Sequence, residues 1–283
     1  MAARIAVLTD IVSDRHFFPD WRRYYGGLFG ESNLFVITYA DGPRLADPAL
    51  GGDLRLAVPW SDSVRPNIVS DFVAMLLGAY DVVIRVEADE MLVVDPRVAP
   101  SLRAYIEGTS RPYYTARGFD VIQTTGETPL VPGPILAQRR HAYPNTALNK
   151  TAIVRTPLHW NPGFHWCSAY PECDALFMLH LKRADIDQQL AWFSDMTAKI
   201  ADNPAVPAAT REYYRPDRAK IALYHNEVST RPRLCGIESW YREAVQANYF
   251  RSISYSPKDD IYGGEFAHDH VLCEIPASWK NLF

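Results

Sequence analysis

The sequence predicts an α/β protein with a mostly parallel central sheet. Three observations point there. Apolar runs rich in β-branched residues recur along the chain, patterns of helical period lie between several of them, and the strands read as near-continuous apolar stretches. Strands covered on both faces read that way, and strand–helix alternation is the mark of parallel sheets.

Taken in order, strands are expected over residues 4–9, 34–39, 54–58, 81–86, 151–154 and 175–181. A helix is expected over 66–78 (PNIVSDFVAMLLG), with Pro66 in the first turn and Gly78 at its end. Ile68, Val69, Phe72, Met75 and Leu76 share its apolar face. A second helix starts at Asp185, where Gln188 three residues on resembles a capping box, and runs to residue 200 with Ile186, Leu190, Phe193 and Ile200 on one face. A third is expected over 238–249, with Trp240, Ala244 and Val245 facing inward. The stretch 107–149 is the least periodic, and Gly118, Gly126, Pro129, Pro132, Gly133 and Pro134 point to loops and short strands. Residues 1–200 are read as the main unit, and 201–283 as a helical extension packed on it.

The chain has 283 residues, 48% hydrophobic and 22% charged, enough for a large core. A net charge of -4 argues against a general nucleic-acid binder, which needs clustered cations. The start, MAARIAVLTD, is too short an apolar run for a leader peptide, so the cytoplasm is the expected compartment. Nothing in the sequence supports a membrane contact. Cys167, Cys173, Cys235 and Cys273 form no CxxC pair and read as buried thiols.

The strand at 81–86 runs into Glu87-Ala88-Asp89-Glu90. Ligands of open α/β sheets bind beyond the carboxyl ends of strands. Strand alternation would point Glu87 and Asp89 the same way, and a divalent cation would relieve their repulsion. Oxygen ligands suit Mn²⁺ or Mg²⁺. A solvated acidic turn is the plainer alternative. The segment HWCSAYPECDALFMLH holds His165, Cys167, Cys173 and His180, but H-x-C-x5-C-x6-H matches no common zinc spacing.

Residues 80–96 (YDVVIRVEADEMLVVDP) resemble the metal-binding segment of GT-A-fold glycosyltransferases, in the family-2-like group with a D-x-D-E element. Residues 21–42 (WRRYYGGLFGESNLFVITYADG) resemble that group's early helix and acid-terminated strand. Residues 149–166 (NKTAIVRTPLHWNPGFHW) and 175–193 (ALFMLHLKRADIDQQLAWF) resemble its later Lys- and Arg-flanked strand, Gly-x-His turn and Leu-His strand end. The likeness spans roughly residues 4–193. Two positions depart: Glu87 stands where the group has Asp, and Ser13-Asp14 stands for an early Asn-Glu pair.

The resemblance implies a three-layer, Rossmann-like GT-A sandwich. It implies transfer of a sugar from a nucleotide-diphosphate donor to a glycan or other hydroxyl acceptor. Glu87, Asp89 and His180 would hold Mn²⁺ or Mg²⁺, with Glu90 behind the metal or at the donor sugar. Asp41, and less directly Asp10, would meet the nucleoside, and Lys150 and Arg155 the phosphates. Glu172 is the first choice for an acceptor base and Asp174 the second. His165 and Trp160 would face the acceptor; Trp160, with Tyr113, Tyr114 and His159, reads equally as core. Residues 211–220 (REYYRPDRAK) read as a solvated basic face, with an anionic acceptor or a lipid surface as the alternative partner, and His268-Asp269-His270 as a polar-edged strand, with a second metal site as its alternative. A metal-dependent nucleotidyltransferase and a non-catalytic binding module stay open beside the glycosyltransferase.

Overall fold

The computed structural model describes residues 2–12, 16–204, 206–268 and 270–283; the side chains of 243–245 fall outside that description. Ser13, Asp14 and Asp269, and the side chains of Ala244 and Val245, therefore lie outside the described residues.

Strand β1 (Ile5–Ile11) is buried throughout and leads to helix α1 (Phe18–Phe29). β2 (Leu34–Thr38) and β3 (Gly52–Arg55) follow, then helix α2 (Arg65–Leu77) and β4 (Val82–Arg85). These four strands are all parallel, in the order β3-β2-β1-β4. From β1 the chain moves outward to β2 and β3, then returns to place β4 on the other side. That reversal opens a crevice at the carboxyl ends of β1 and β4. The third strand is shifted towards the N-terminus from its expected place at 54–58.

Next come β5 (Glu90–Val94), α3 (Leu102–Glu107) and β6 (Tyr113–Ile122). The ten residues of β6 make it the longest strand, where loops and short strands were expected. Its run YYTARGFDVI is rich in aromatic and β-branched residues; Gly118 and the charges had masked it. Gly118 is required by packing, since a Cβ there would lie 2.2 Å from Leu148 Cβ.

After α4 (Ile135–Gln138), β7 (His141–Pro144), β8 (Thr151–Val154) and β9 (Cys173–His180) complete most of the sheet. β8 runs antiparallel to β4, while β9 pairs parallel to β6 and antiparallel to β5. Helix α5 (Ile186–Ile200) is capped by Asp185, whose carboxylate accepts from Gln188 N at 2.9 Å.

The C-terminal part has helices α6 (Ala208–Tyr213), α7 (Arg218–Ser229) and α8 (Glu243–Ser252). The expected 238–249 helix is instead a 3-10 turn, Ile237–Tyr241, followed by α8. This region is not purely helical. Between α7 and α8 lies β10 (Arg233–Leu234); β11 (Ser254–Ser256) and β12 (Ile261–Gly263) form a hairpin; and β13 (Leu272–Glu274) joins the main sheet between β10 and β7. Trp240 and Trp279 bury themselves in the same core as β1 and β9. Each such side chain contributes roughly 1.5–3 kcal/mol by leaving water, so 201–283 is knit into the fold. Among the described residues no helix is long and apolar enough to cross a membrane. The cysteines are all free, but Cys235 is exposed rather than buried.

Candidate active site

The acids at 87–90 lie on a tight turn between β4 and β5, closed by Glu90 N donating to Glu87 O at 3.0 Å. Helix α1 holds that turn. Tyr25 donates its hydroxyl to Glu90 O at 3.1 Å and accepts from Leu92 N, while Tyr24 donates to Leu92 O at 2.6 Å. Glu90 points inward, taking Glu87 N on Oε2 at 2.8 Å and Lys150 Nζ on Oε1 at 2.6 Å.

Glu87 and Asp89 both line a narrow cleft at the β1/β4 crevice, where Asp10, Trp60, Arg65 and Lys182 also face. Their partners differ. Glu87 gives Oε1 to Arg65 Nη2 at 2.8 Å and Oε2 to Lys150 Nζ at 2.6 Å. Burial opposes the charge on Glu87, but Lys150, Arg65 and Arg85 outweigh it and hold the carboxyl well below the usual range. Both oxygens of Glu87 are thereby engaged by cations of the chain.

Asp89 meets His180 instead, Oδ2 to Nε2 at 3.0 Å. On its other side His180 Nδ1 donates to Asp120 Oδ1 at 2.6 Å. Sheet register sets this line, because His180 is paired across from Glu90 in β5 and beside Asp120 in β6. Burial favours the neutral ring, yet the two carboxylates overcome it and carry the His180 pKa up to about 9. Asp120 is fixed further by Asn145 Nδ2 at 2.7 Å and is held well below the usual carboxylate range.

Asp10 anchors rather than greets a ligand. Its carboxylate takes Arg65 Nε at 2.8 Å, Arg65 Nη2 at 3.0 Å, Arg85 Nη2 at 3.2 Å and Tyr39 OH at 3.1 Å. Arg65 stands at the first turn of α2, where the helix dipole disfavours a cation. Three carboxylates, Asp10, Glu87 and Asp62, offset that. Phe164 holds a positive φ of 57° after Gly163 at 75°, and its ring lies beneath Arg85, 3.2 Å from centroid to Cζ. A left-handed Phe costs about 1–3 kcal/mol, offset here by ring–cation contact.

The remaining expectations divide. Lys150 is in the cluster, but Arg155 is at the opposite end of β8, donating to the Ile106 and Thr109 carbonyls. Asp41 accepts from Trp60 N at 3.1 Å and so ties a loop beside the cleft. Glu172 is exposed, and Asp174 is exposed and 3.7 Å from Arg111. Both precede or open β9, whose far end carries His180, roughly 20 Å along an extended strand; neither lines the cleft, and both leave the list of bases. Trp160 is 3% exposed, donating Nε1 to Thr151 O, and Tyr114 is equally buried: both are core. His165 lies beside the cluster, with Nδ1 2.5 Å from Ala147 O.

Sequence reading missed Arg65, Arg85, Asp120 and Lys182. Arg85 could have been found as a charge breaking an apolar strand. Asp120 could have been found as an acid on an inward position of GFDVI. Lys182 stands over the Trp192 ring at 4.6 Å, and among the described residues no carboxylate oxygen comes within ion-pair range of it. Burial lowers its pKa, but the fields of Tyr213, Asp89, Tyr214 and Glu87 keep it raised.

A small divalent ion would find at most two donors at one place, where Asp89 and His180 are paired with each other. Among the described residues no three His, Cys, Asp or Glu side chains converge as a ready-made metal site. Asp89 and His180 offer two donors 3.0 Å apart. Neighbouring ligands of an octahedral ion with bonds near 2.1 Å are separated by about that distance. Asp120 behind His180 is the carboxylate that commonly orients a ligating imidazole.

No protein-family model matches the chain, and no curated protein matches its sequence. Among solved structures, the mannose-1-phosphate geranyltransferase of Thermus thermophilus aligns over 79% of this chain and 68% of that chain, at 9% identity and a TM-score of 0.28. At that score the likeness carries no argument for fold family or activity.

Proposed function

We propose that this chain is a GT-A-like glycosyltransferase of the family-2-like group, moving a sugar from a nucleotide-diphosphate donor to a hydroxyl acceptor. The observation that carries this reading is the line Asp89–His180–Asp120, whose Asp89 end lines a cleft at the switch point of parallel strands. Asp89 and His180 would hold Mn²⁺ or Mg²⁺, and the ion when bound would stabilise negative charge growing on the departing diphosphate.

The chain's own residues do the rest. Asp120 fixes the His180 ring through Nδ1, and an ion would have to displace the proton that Nε2 shares with Asp89. Lys182 supplies a positive charge at the cleft that suits a phosphate oxygen. Glu90 and Lys150 fix the 87–90 turn, and the pair Asp10–Arg65 fixes the wall opposite. Diphosphate would complete the coordination of an ion that has only two protein donors.

One observation favours a second reading, a binding module without transfer: both Glu87 oxygens are engaged by the chain's own cations. Incubation with a panel of nucleotide sugars and Mn²⁺ separates the two. A transferase slowly hydrolyses one member to nucleoside diphosphate and free sugar. A module binds without hydrolysis, and a nucleotidyltransferase releases pyrophosphate from a nucleoside triphosphate.

A further inference from the structure

Beside the candidate site, on α8, the C-terminal hairpin with the segment after it, and the 161–170 loop, aromatic rings form two neighbouring groups that make a seam. Trp166 is stacked between Tyr249, at 5.4 Å and 11°, and Phe266, at 5.3 Å and 6°. Tyr262 joins Tyr170, at 5.5 Å, to Tyr255, at 5.0 Å. The backbone clamps the two groups together, with Tyr262 N donating to Cys167 O at 3.0 Å.

Much of this seam faces solvent. Tyr170 is 39% exposed, and Tyr255 and Phe266 are each 46% exposed. Around them stand four exposed acids, Glu172, Asp259, Asp260 and Glu265, against two exposed cations, Arg251 and Lys258. Asp260 accepts from the Tyr255 hydroxyl at 2.6 Å, and Asp259 from Ser256 Oγ at 2.8 Å.

We infer that this seam is a binding platform for a neutral oligosaccharide, the acceptor of the proposed transfer. Aromatic faces take the C–H face of a pyranose ring, and nearby carboxylates and phenols take its hydroxyls. The acids disfavour an anionic lipid surface or a nucleic acid. The platform is continuous with the site: His165 meets the Phe266 ring at 5.0 Å, and the charges of Lys150 and Glu87 act on that same His165. This inference rests on the glycosyltransferase reading for the word acceptor, but binding itself does not.

The test is titration of the whole chain, without donor, with cellotetraose, maltotetraose, mannotetraose and chitotetraose, followed by Trp fluorescence and calorimetry. At least one should bind. Tyr255→Ala and Phe266→Ala should each weaken it about tenfold, and Tyr255→Phe should retain most affinity. The Mn²⁺-dependent thermal shift with UDP, GDP or dTDP should be unchanged in all three variants. The platform is overturned if none of the four binds, or if binding survives both alanine variants. It is overturned too if the wild type is a dimer that Tyr255→Ala or Phe266→Ala makes monomeric. Loss of the nucleotide shift in wild type, with oligosaccharide binding intact, would sink the transferase reading and leave the platform standing.

Discussion

His180 Nε2 lies 3.0 Å from Asp89 Oδ2, and the two residues reach each other from opposite strands of one antiparallel pair. Asp89 immediately precedes β5 and His180 ends β9, so the sheet itself sets their spacing. Behind them Asp120 holds the imidazole at 2.6 Å. Replacing Asp120 by Asn leaves a side chain of the same shape that no longer fixes the ring with a charge. Mn²⁺ affinity, measured by calorimetry, should fall about 10–100-fold. An unchanged affinity would remove Asp120 from the site.

Glu87 is a counter-ion to Lys150 and Arg65. Glu87→Gln should therefore keep Mn²⁺ affinity within about twofold, since only ligand and orienting positions carry large losses. A loss as large as that of Asp89→Asn would return Glu87 to the metal shell.

Lys150 neutralises two carboxylates in a buried setting. Lys150→Met leaves Glu87 and Glu90 facing each other without that charge. Removal of one partner from such a cluster costs about 3–5 kcal/mol, read as a lower midpoint in urea denaturation. A change below about 1 kcal/mol would mean that water already screens the cluster.

His165 sets an acid limit. Burial, with the positive charge of Lys150 added, lowers its pKa from 6.5 to about 4 in the folded chain. Glu87 and the Ala147 carbonyl pull the other way, and Lys182 adds to the lowering. The folded value is below the unfolded one, so the unfolded chain takes up the proton first. The stabilisation is complete above about pH 6.5 and is lost as pH falls towards 4. Urea midpoints between pH 7 and pH 4 should fall less steeply in His165→Gln than in wild type. Parallel curves would show that this ring does not govern the acid limb.

Much of this architecture was legible in the sequence. The runs at 34–39 and 151–154 became β2 and β8 almost residue for residue, because continuous β-branched stretches have few other fates. Asp185 capped its helix as its side chain dictates. What was lost lay in partnership. Nothing local in DVVIRVEADE says that Lys150, 63 residues away, takes Glu87, or that Asp120 will stand beside His180. Glu172 and Asp174 seemed close to His180 along the chain, but an extended strand carried them to the other end of the sheet. Trp160 illustrates the usual fate of an aromatic, which is burial.

The most direct measurement is the melting temperature of wild type and Asp89→Asn with UDP, GDP or dTDP, each with and without Mn²⁺. The account predicts that one nucleotide stabilises the wild type only when Mn²⁺ is present, and that Asp89→Asn abolishes the shift. A shift of equal size in Asp89→Asn, or one that needs no metal, would contradict it.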